Sequence, residues 1–509
     1  MAITTAPPPS APTDVDPSPT APAPRPARLP KLPAPHILVL VALGAAVAGQ
    51  GGFYRNDALI VGVLLAGAVG AMVRLHPPSK GRRPVQPVTV ALSAMALWTI
   101  VAGAVDGHVA DALPTVALVA GVTATIAVVR RATQAQRQEV VHALVLLGAG
   151  AAATGWLGVV LRAQPWAHPD GGLWRAATTI TYANGAAALL AAVAMLALSQ
   201  IAVQLAVRLT ARSSTLLRIG AFVVLVGLGT TLSRAGIAAF VAGFCLLAGL
   251  LGPRRMVATT ARILVGAAIA VAGVLPSMPV GSHPRPLWAF AALLLGLAVA
   301  APPVADRSRR QHPAAGYQRR GPTASVVVAA GAGVAALAVG SLLLMGVVHV
   351  DLGSLRTNRV TLASPDRGGE THAALAVVRH HLLTGVGPGA AVFVWSDSGQ
   401  RLVVDRYAHD EYLQLAAEQG LIGLALLCAL VLTIAEGARR GRRGSRDDPL
   451  ARAMQAGAVA ALLALAVHSG FDFLWHIPAV ALVAAVAIGL TSSHQAIPAP
   501  TPKLQEETP

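Results

Sequence analysis

Apolar runs of close to twenty residues recur along nearly the whole of this chain, and no other feature restricts its fold so tightly. About 20 residues of helix cross the hydrocarbon core of a bilayer, and inside that core every backbone N–H and C=O must be bonded within the protein. A chain made of such runs folds as a bundle of membrane-crossing helices. Its charge content agrees: 12% of the 509 residues are Asp, Glu, Lys or Arg, about half of what a water-soluble globule carries. The expected fold class is an all-α polytopic integral membrane protein.

Fourteen candidate spans can be read, with 12–14 as the range their boundaries allow, near 36–52, 58–73, 86–104, 113–129, 140–161, 176–206, 216–231, 235–251, 259–275, 286–304, 323–348, 419–436, 453–467 and 474–491. Placing both termini in the cytoplasm puts 28 of the 39 Lys and Arg residues on the inside, in the even-numbered loops and the tails. That alternation is what the positive-inside rule requires. The formal charge of +17 therefore reads as topology, and nucleic acid is not an expected partner. Residues 1–35, rich in Pro and Ala, lack the apolar core of a signal peptide and read as a disordered cytoplasmic tail, as do 495–509. Helices 1–11 occupy 36–348, a large extracytoplasmic loop 349–418, and helices 12–14 residues 419–491. Cys245 and Cys428, the two cysteines, fall inside apolar runs and read as small core residues.

The outer face gathers the chemistry. A loop as long as 349–418 is a functional signal, because short connections suffice to join neighbouring helices. It retains Arg367, Arg379, His380, His381, Arg401, Arg406 and His409 on the side where cations are normally sparse; individually they suit ordinary solvation, and as a group they suit an anionic ligand. Arg175 precedes a hydroxyl-rich helix entry, "RAATTITYANG", and alone would pass for a juxtamembrane anchor. In "GTTLSRAGIAAF", residues 229–240, Arg234 stands in a hairpin mouth, where it reads equally as an ordinary paired cation or as a ligand-binding one. Gly385, Gly387 and Gly389 in "RHHLLTGVGPG" would let backbone approach a ligand, or simply make a turn. "HSGFDFLWHIPA", residues 468–479, adds His468, Asp472 and His476 as weaker candidates.

The densest stretch is "HDEYLQLAAEQG", residues 409–420. Asp410 fits a helix N-cap and Glu411 a first-turn acid, so a helix starts there and leaves His409 just outside it. Glu411, Gln414 and Glu418 share one face of that helix. Histidine suits proton transfer near neutral pH; a positive helix end disfavours its charged form and the adjacent acids favour it, and both possibilities stay open.

In order and wording, "TLSRAG", "HHLLTGVGPG", "HDEYLQLAAEQGLIG" and "HSGFDF" resemble the O-antigen ligase superfamily, which includes O-antigen polymerases and O-linked oligosaccharyltransferases; the resemblance covers about 170–490. It implies a GT-C-like membrane architecture and glycosyl transfer at the outer face of the cytoplasmic membrane, from a polyprenyl-diphosphate-linked glycan to a lipid, glycan or protein acceptor. It also implies no metal and no cofactor. Carried over, His409 is the base, Arg234 a catalytic and diphosphate-binding residue, and Arg175, Arg367 and Arg379 further diphosphate ligands. Glu411, Glu418 and Asp472 are possible acceptor-orienting acids. The chain departs from the family pattern in lacking a tryptophan after Arg367, in "DRGGETHAAL", and a proline after the histidine in "HHLL". Two readings of other classes compete: a multi-pass small-solute or anion transporter, which calls for ionisable residues at mid-membrane, and a non-catalytic subunit of a polysaccharide assembly complex.

Overall fold

The computed structural model describes residues 32–75, 85–107, 109–207, 211–301, 365–396 and 399–492. Both expected tails, the expected eleventh span at 323–348 and the start of the large loop lie outside these residues.

Fourteen α-helices occur among the described residues: α1 Ala34–Ala48, α2 Arg55–Leu75, α3 Pro87–Val105, α4 Val109–Arg131, α5 Gln134–Leu161, α6 Ala183–Val207, α7 Ala211–Thr230, α8 Arg234–Leu251, α9 Pro253–Val274, α10 Pro286–Ala300, α11 Pro365–His380, α12 Glu411–Gly444, α13 Pro449–Ser469 and α14 Pro478–Thr491. Nine helices among these residues are long and apolar enough to cross a membrane, and four shorter apolar ones accompany them. Local chemistry sets their ends. Proline occupies the first turn of α3, α9, α10, α13 and α14, where its missing N–H costs no intrahelical bond. Thr133 and Gln136 form a reciprocal capping box at α5, which satisfies two orphan donors.

The bundle is organised around α6. Its hydrophobic window is buried on every side, against α5, α7, α8, α9, α13 and α14. Small residues permit this closeness: Gly457 of α13 lies against Met195 and Ser199 of α6, and Gly266 of α9 meets Gly296 of α10 backbone to backbone. With no hydrophobic force between helices in lipid, such tight contacts are a main source of association. The outer helices turn their large apolar side chains away from the protein, with Leu287 86%, Val63 71% and Leu432 69% exposed. A surface of this kind is tolerable only against hydrocarbon, so the fold is that of a multi-pass helical membrane protein. Cys245 and Cys428 lie on exposed helix faces, a correction to the core positions expected for them; an apolar run that faces lipid is as hydrophobic as one that faces protein.

Two segments differ from the expected spans. The sixth helix starts at Ala183, not near 176, because residues 167–176 form an antiparallel hairpin, β1 Ala167–Asp170 with β2 Leu173–Ala176. The large loop holds structure of its own: α11, then the antiparallel hairpin β3 Phe393–Ser396 with β4 Leu402–Asp405. Ala374, Ala391, Phe393, Ala408 and Ala417 form its small apolar core, so α11 and β3 are fastened to the start of α12.

That start is broken from the rest of α12 at Gly420, where φ is 66° and ψ −170°. Gly385 (φ 74°) and Gly420 face each other across the contact, and a Cβ on either would collide with the backbone of Glu418 or Leu383. Backbone bonds from Val386 to Ala417 (2.9 Å), Gly387 to Glu418 (3.1 Å) and Leu421 to Leu382 (2.8 Å) close it. The "TGVGPG" turn thus spends Gly385 on docking the loop to α12.

Candidate functional site

The site is assembled where the stretches 409–420 and 468–479 meet the entry to α6. Asp410 caps α12, its Oδ1 accepting from the amides of Tyr412 (2.9 Å) and Leu413 (3.1 Å), as expected. His409 is thereby left just outside the helix with its side chain 31% exposed, and its Nδ1 lies 3.1 Å from Oδ1 of Asp472, whose side chain is wholly buried.

Asp472 is fully engaged. Its Oδ1 also accepts from the Tyr182 hydroxyl (2.6 Å) and the Phe473 amide (2.9 Å), and its Oδ2 from Nδ2 of Asn184 (2.5 Å). Asn184 Oδ1 in turn accepts from Nη2 of Arg175 (2.9 Å), whose Nη1 donates to Asp170 (2.5 Å) and Nε to the Thr231 carbonyl (2.8 Å). A polar chain therefore runs from the β1–β2 hairpin through Arg175 and Asn184 to Asp472 and His409. Burial pushes the Asp472 carboxyl up, but the donors from His409, Tyr182 and Asn184 outweigh it and hold the carboxyl below its ordinary value. Burial also pulls the His409 imidazole down, and the bond and charge of Asp472, with the charge of Glu370, bring it above the usual histidine value.

Aromatic rings wall this centre. Phe473 stacks on Tyr407 at 4.5 Å and on Tyr182 at 5.2 Å, and the His409 ring leans on Phe473 at 5.2 Å. A second histidine–carboxylate pair stands beside the first: Nδ1 of His476 is 3.3 Å from Oε1 of Glu411, which also accepts the Trp475 amide. Although burial lowers it, the charges of Glu411 and Glu418 drive the His476 imidazole up to about 9.

The candidate residues divide by place. Arg234 opens α8, half-buried directly after Ser233, which caps the helix by accepting from the Gly236 amide (3.1 Å). Arg175 is tied to the same hairpin through Thr231, and each of its guanidinium nitrogens donates to a protein group. Arg367 lies within electrostatic reach of His409, Glu370 and His468. Arg379 is exposed at the far end of α11, roughly 18 Å of helix from Arg367, so α11 brings Arg367 and not Arg379 to His409. Glu411 and Glu418, expected as possible acceptor-orienting acids, are buried in the framework: Glu411 holds His476 and Trp475, and Glu418 accepts from Nε2 of Gln414 (2.6 Å) and the Gly389 amide.

Sequence reasoning ranked Asp472 low and gave Tyr182 and Asn184 no role, although two hydrogen-bonding side chains at the mouth of an alanine-rich helix were a usable sign. It passed over Glu370, which is 5% exposed in α11 and pushed by burial up to about 7.

Searched against known families and curated proteins, the chain matches no family model and no curated protein.

Chemically, the arrangement is a histidine held by a carboxylate. With Nδ1 fixed on Asp472, Nε2 is the nitrogen left to take a proton from a ligand, and Asp472 both selects that tautomer and stabilises the imidazolium that results.

Proposed function

We propose that the protein is a membrane glycosyltransferase of the O-antigen ligase kind, moving or polymerising a glycan from a polyprenyl-diphosphate-linked donor onto an acceptor hydroxyl at the outer face of the cytoplasmic membrane. The observation that carries this reading is the half-exposed His409 anchored through Nδ1 on the buried Asp472. The ordered motifs between 170 and 490, the placement of Lys and Arg, and the presence of Arg367 within electrostatic reach of His409 support it.

In the proposed reaction, the acceptor O–H gives its proton to Nε2 of His409 as its oxygen attacks the anomeric carbon from the side opposite the diphosphate. The bond from that carbon to the diphosphate oxygen breaks with its electron pair, inverting the anomeric configuration. Arg234 and Arg367 neutralise the charge that develops on the leaving group; guanidinium forks suit phosphate oxygens because two N–H bonds match two acceptors. Arg175 acts indirectly, by holding Asn184 against Asp472. No metal or cofactor enters this scheme.

Deleting the gene should remove one surface glycan and cause its lipid-linked precursor to accumulate, and re-expression of the wild-type protein, but not of His409→Ala, should reverse both. An unaltered glycan and precursor profile in the deletion strain would refute the proposal.

A further inference from the structure

Among the described residues, Oε1 of Glu370 is buried without a hydrogen-bond partner. The residue sits three positions after Arg367 on α11, and α11 is clamped between β3 and the start of α12, with Gly369 pressed onto the Trp395 ring. Glu370 is 5% exposed in this setting. The charged groups facing it come from three other places: His409 before α12, Asp405 at the end of β4 and Asp472 between α13 and α14, with Arg367 on its own helix. From α12 itself, Asp410 is occupied by the first-turn amides and Glu411 by His476 and Trp475. Ala374, one turn after Glu370 on α11, shares an apolar core with Ala408, the residue before His409, and both Asp472, in contact with Nδ1, and Glu370 act on the imidazole by their charge, with Arg367 opposing them.

We propose that Glu370 is a positioning residue of the His409 centre: a second acid, delivered by the loop helix, that sets how strongly the imidazole holds its proton. The two acids are not equivalent. Asp472 has donors on both oxygens and stays ionised, whereas Glu370 has an oxygen that no described group satisfies, and a buried carboxyl in that condition favours its neutral form. When Glu370 is neutral, His409 loses one of its two stabilising charges, so its imidazole holds a proton less firmly and is more often neutral and free to receive one. When Glu370 ionises, near neutral pH, the imidazole keeps its proton more firmly. The active form of the pair is therefore a neutral acid beside a neutral base. As a statement about catalysis this rests on the glycosyl-transfer reading; as a statement about proton affinity it does not.

The test uses the full-length protein in lipid nanodiscs with carbon-13-labelled histidine, titrated by NMR in wild type, Glu370→Gln and Glu370→Asp. Glu370→Gln keeps the shape and removes the charge, so the His409 midpoint should move lower by about half a pH unit or more, and Glu370→Asp should return it towards wild type. If transfer is assayed in parallel, the acid limb of its rate profile should move in the same direction. A His409 midpoint unchanged in Glu370→Gln overturns the proposal, as does a Glu370 carboxyl band in infrared titration that disappears at ordinary glutamate pH. A wild-type protein that transfers no glycan overturns the functional reading while the titration still decides the place of Glu370.

Discussion

Glu411 and His476 form the counterpart of Asp472 and His409: in each pair one stretch supplies the histidine and the other the acid, at 3.3 Å and 3.1 Å. The stretches 409–420 and 468–479 are therefore stitched together twice, in opposite senses, where α12 begins and α13 ends. The two histidine side chains are similarly exposed, 31% for His409 and 28% for His476.

Asp472→Asn should leave the fold intact and reduce transfer by about a hundredfold to ten-thousandfold, because the amide can present its N–H to Nδ1 and select the wrong tautomer. Activity of purified Asp472→Asn within threefold of wild type, in an assay with lipid-linked glycan, would remove Asp472 from this role.

The His476–Glu411 pair should make stability depend on alkaline pH. The folded imidazole titrates at about 9 against 6.5 unfolded, so its contribution is fully present below about pH 6.5 and is lost as pH rises through about 9, on the order of 3 kcal/mol in all. Thermal unfolding in detergent between pH 6 and 10 should show this decline, and His476→Gln should flatten it; identical slopes for the two proteins would sink the prediction.

Arg175→Ala should weaken the site without emptying it of base or acid. It strips Asn184 and the Thr231 carbonyl of their donor, a loss of about 1–3 kcal/mol, and frees Asn184 to turn from Asp472. Turnover should fall more than donor affinity, with Arg175→Lys only partly restoring it because one ammonium cannot reproduce three directed bonds. A variant whose sole defect is a raised KM for the donor would instead make Arg175 a donor ligand.

Gly420→Ala should release the loop from α12. The added methyl would meet the Leu383 carbonyl at a φ of 66°, a conformation open essentially to glycine alone, and the cost is about 2–4 kcal/mol. Limited proteolysis should then cut between residues 381 and 408 much faster than in wild type. Wild-type resistance would mean that the contact accommodates the methyl group and the loop stays docked.

Much of this was legible in the residues because its causes are local. The apolar runs fix the helical bundle, Asp410 has the short acceptor an N-cap needs, and the spacing of Gln414 and Glu418 places their side chains together. What was illegible depends on long-range contact. Nothing near Asp472 announces that His409, 63 positions earlier, will donate to it, or that Arg175 will be consumed by Asp170, Asn184 and Thr231. The exposure of Cys245 and Cys428 was hidden for a related reason, since hydropathy does not distinguish a helix face against lipid from one against protein. Residues 178–181, three of them threonine, read as part of a span because threonine is nearly neutral on such scales, while Thr178 and Thr181 adopt positive φ and hold the chain out of the helix until Ala183.

The placement of His409 and Asp472 at opposite ends of the α12–α13 hairpin also bears on how the protein is made. The ribosome delivers the histidine first, then a helix that crosses the membrane and another that returns, and only then the acid that holds it. Until that return crossing is complete, the growing chain holds every arginine of the site and the histidine, yet no group to set the histidine's tautomer. On the glycosyl-transfer reading, activity is thereby tied to finished insertion.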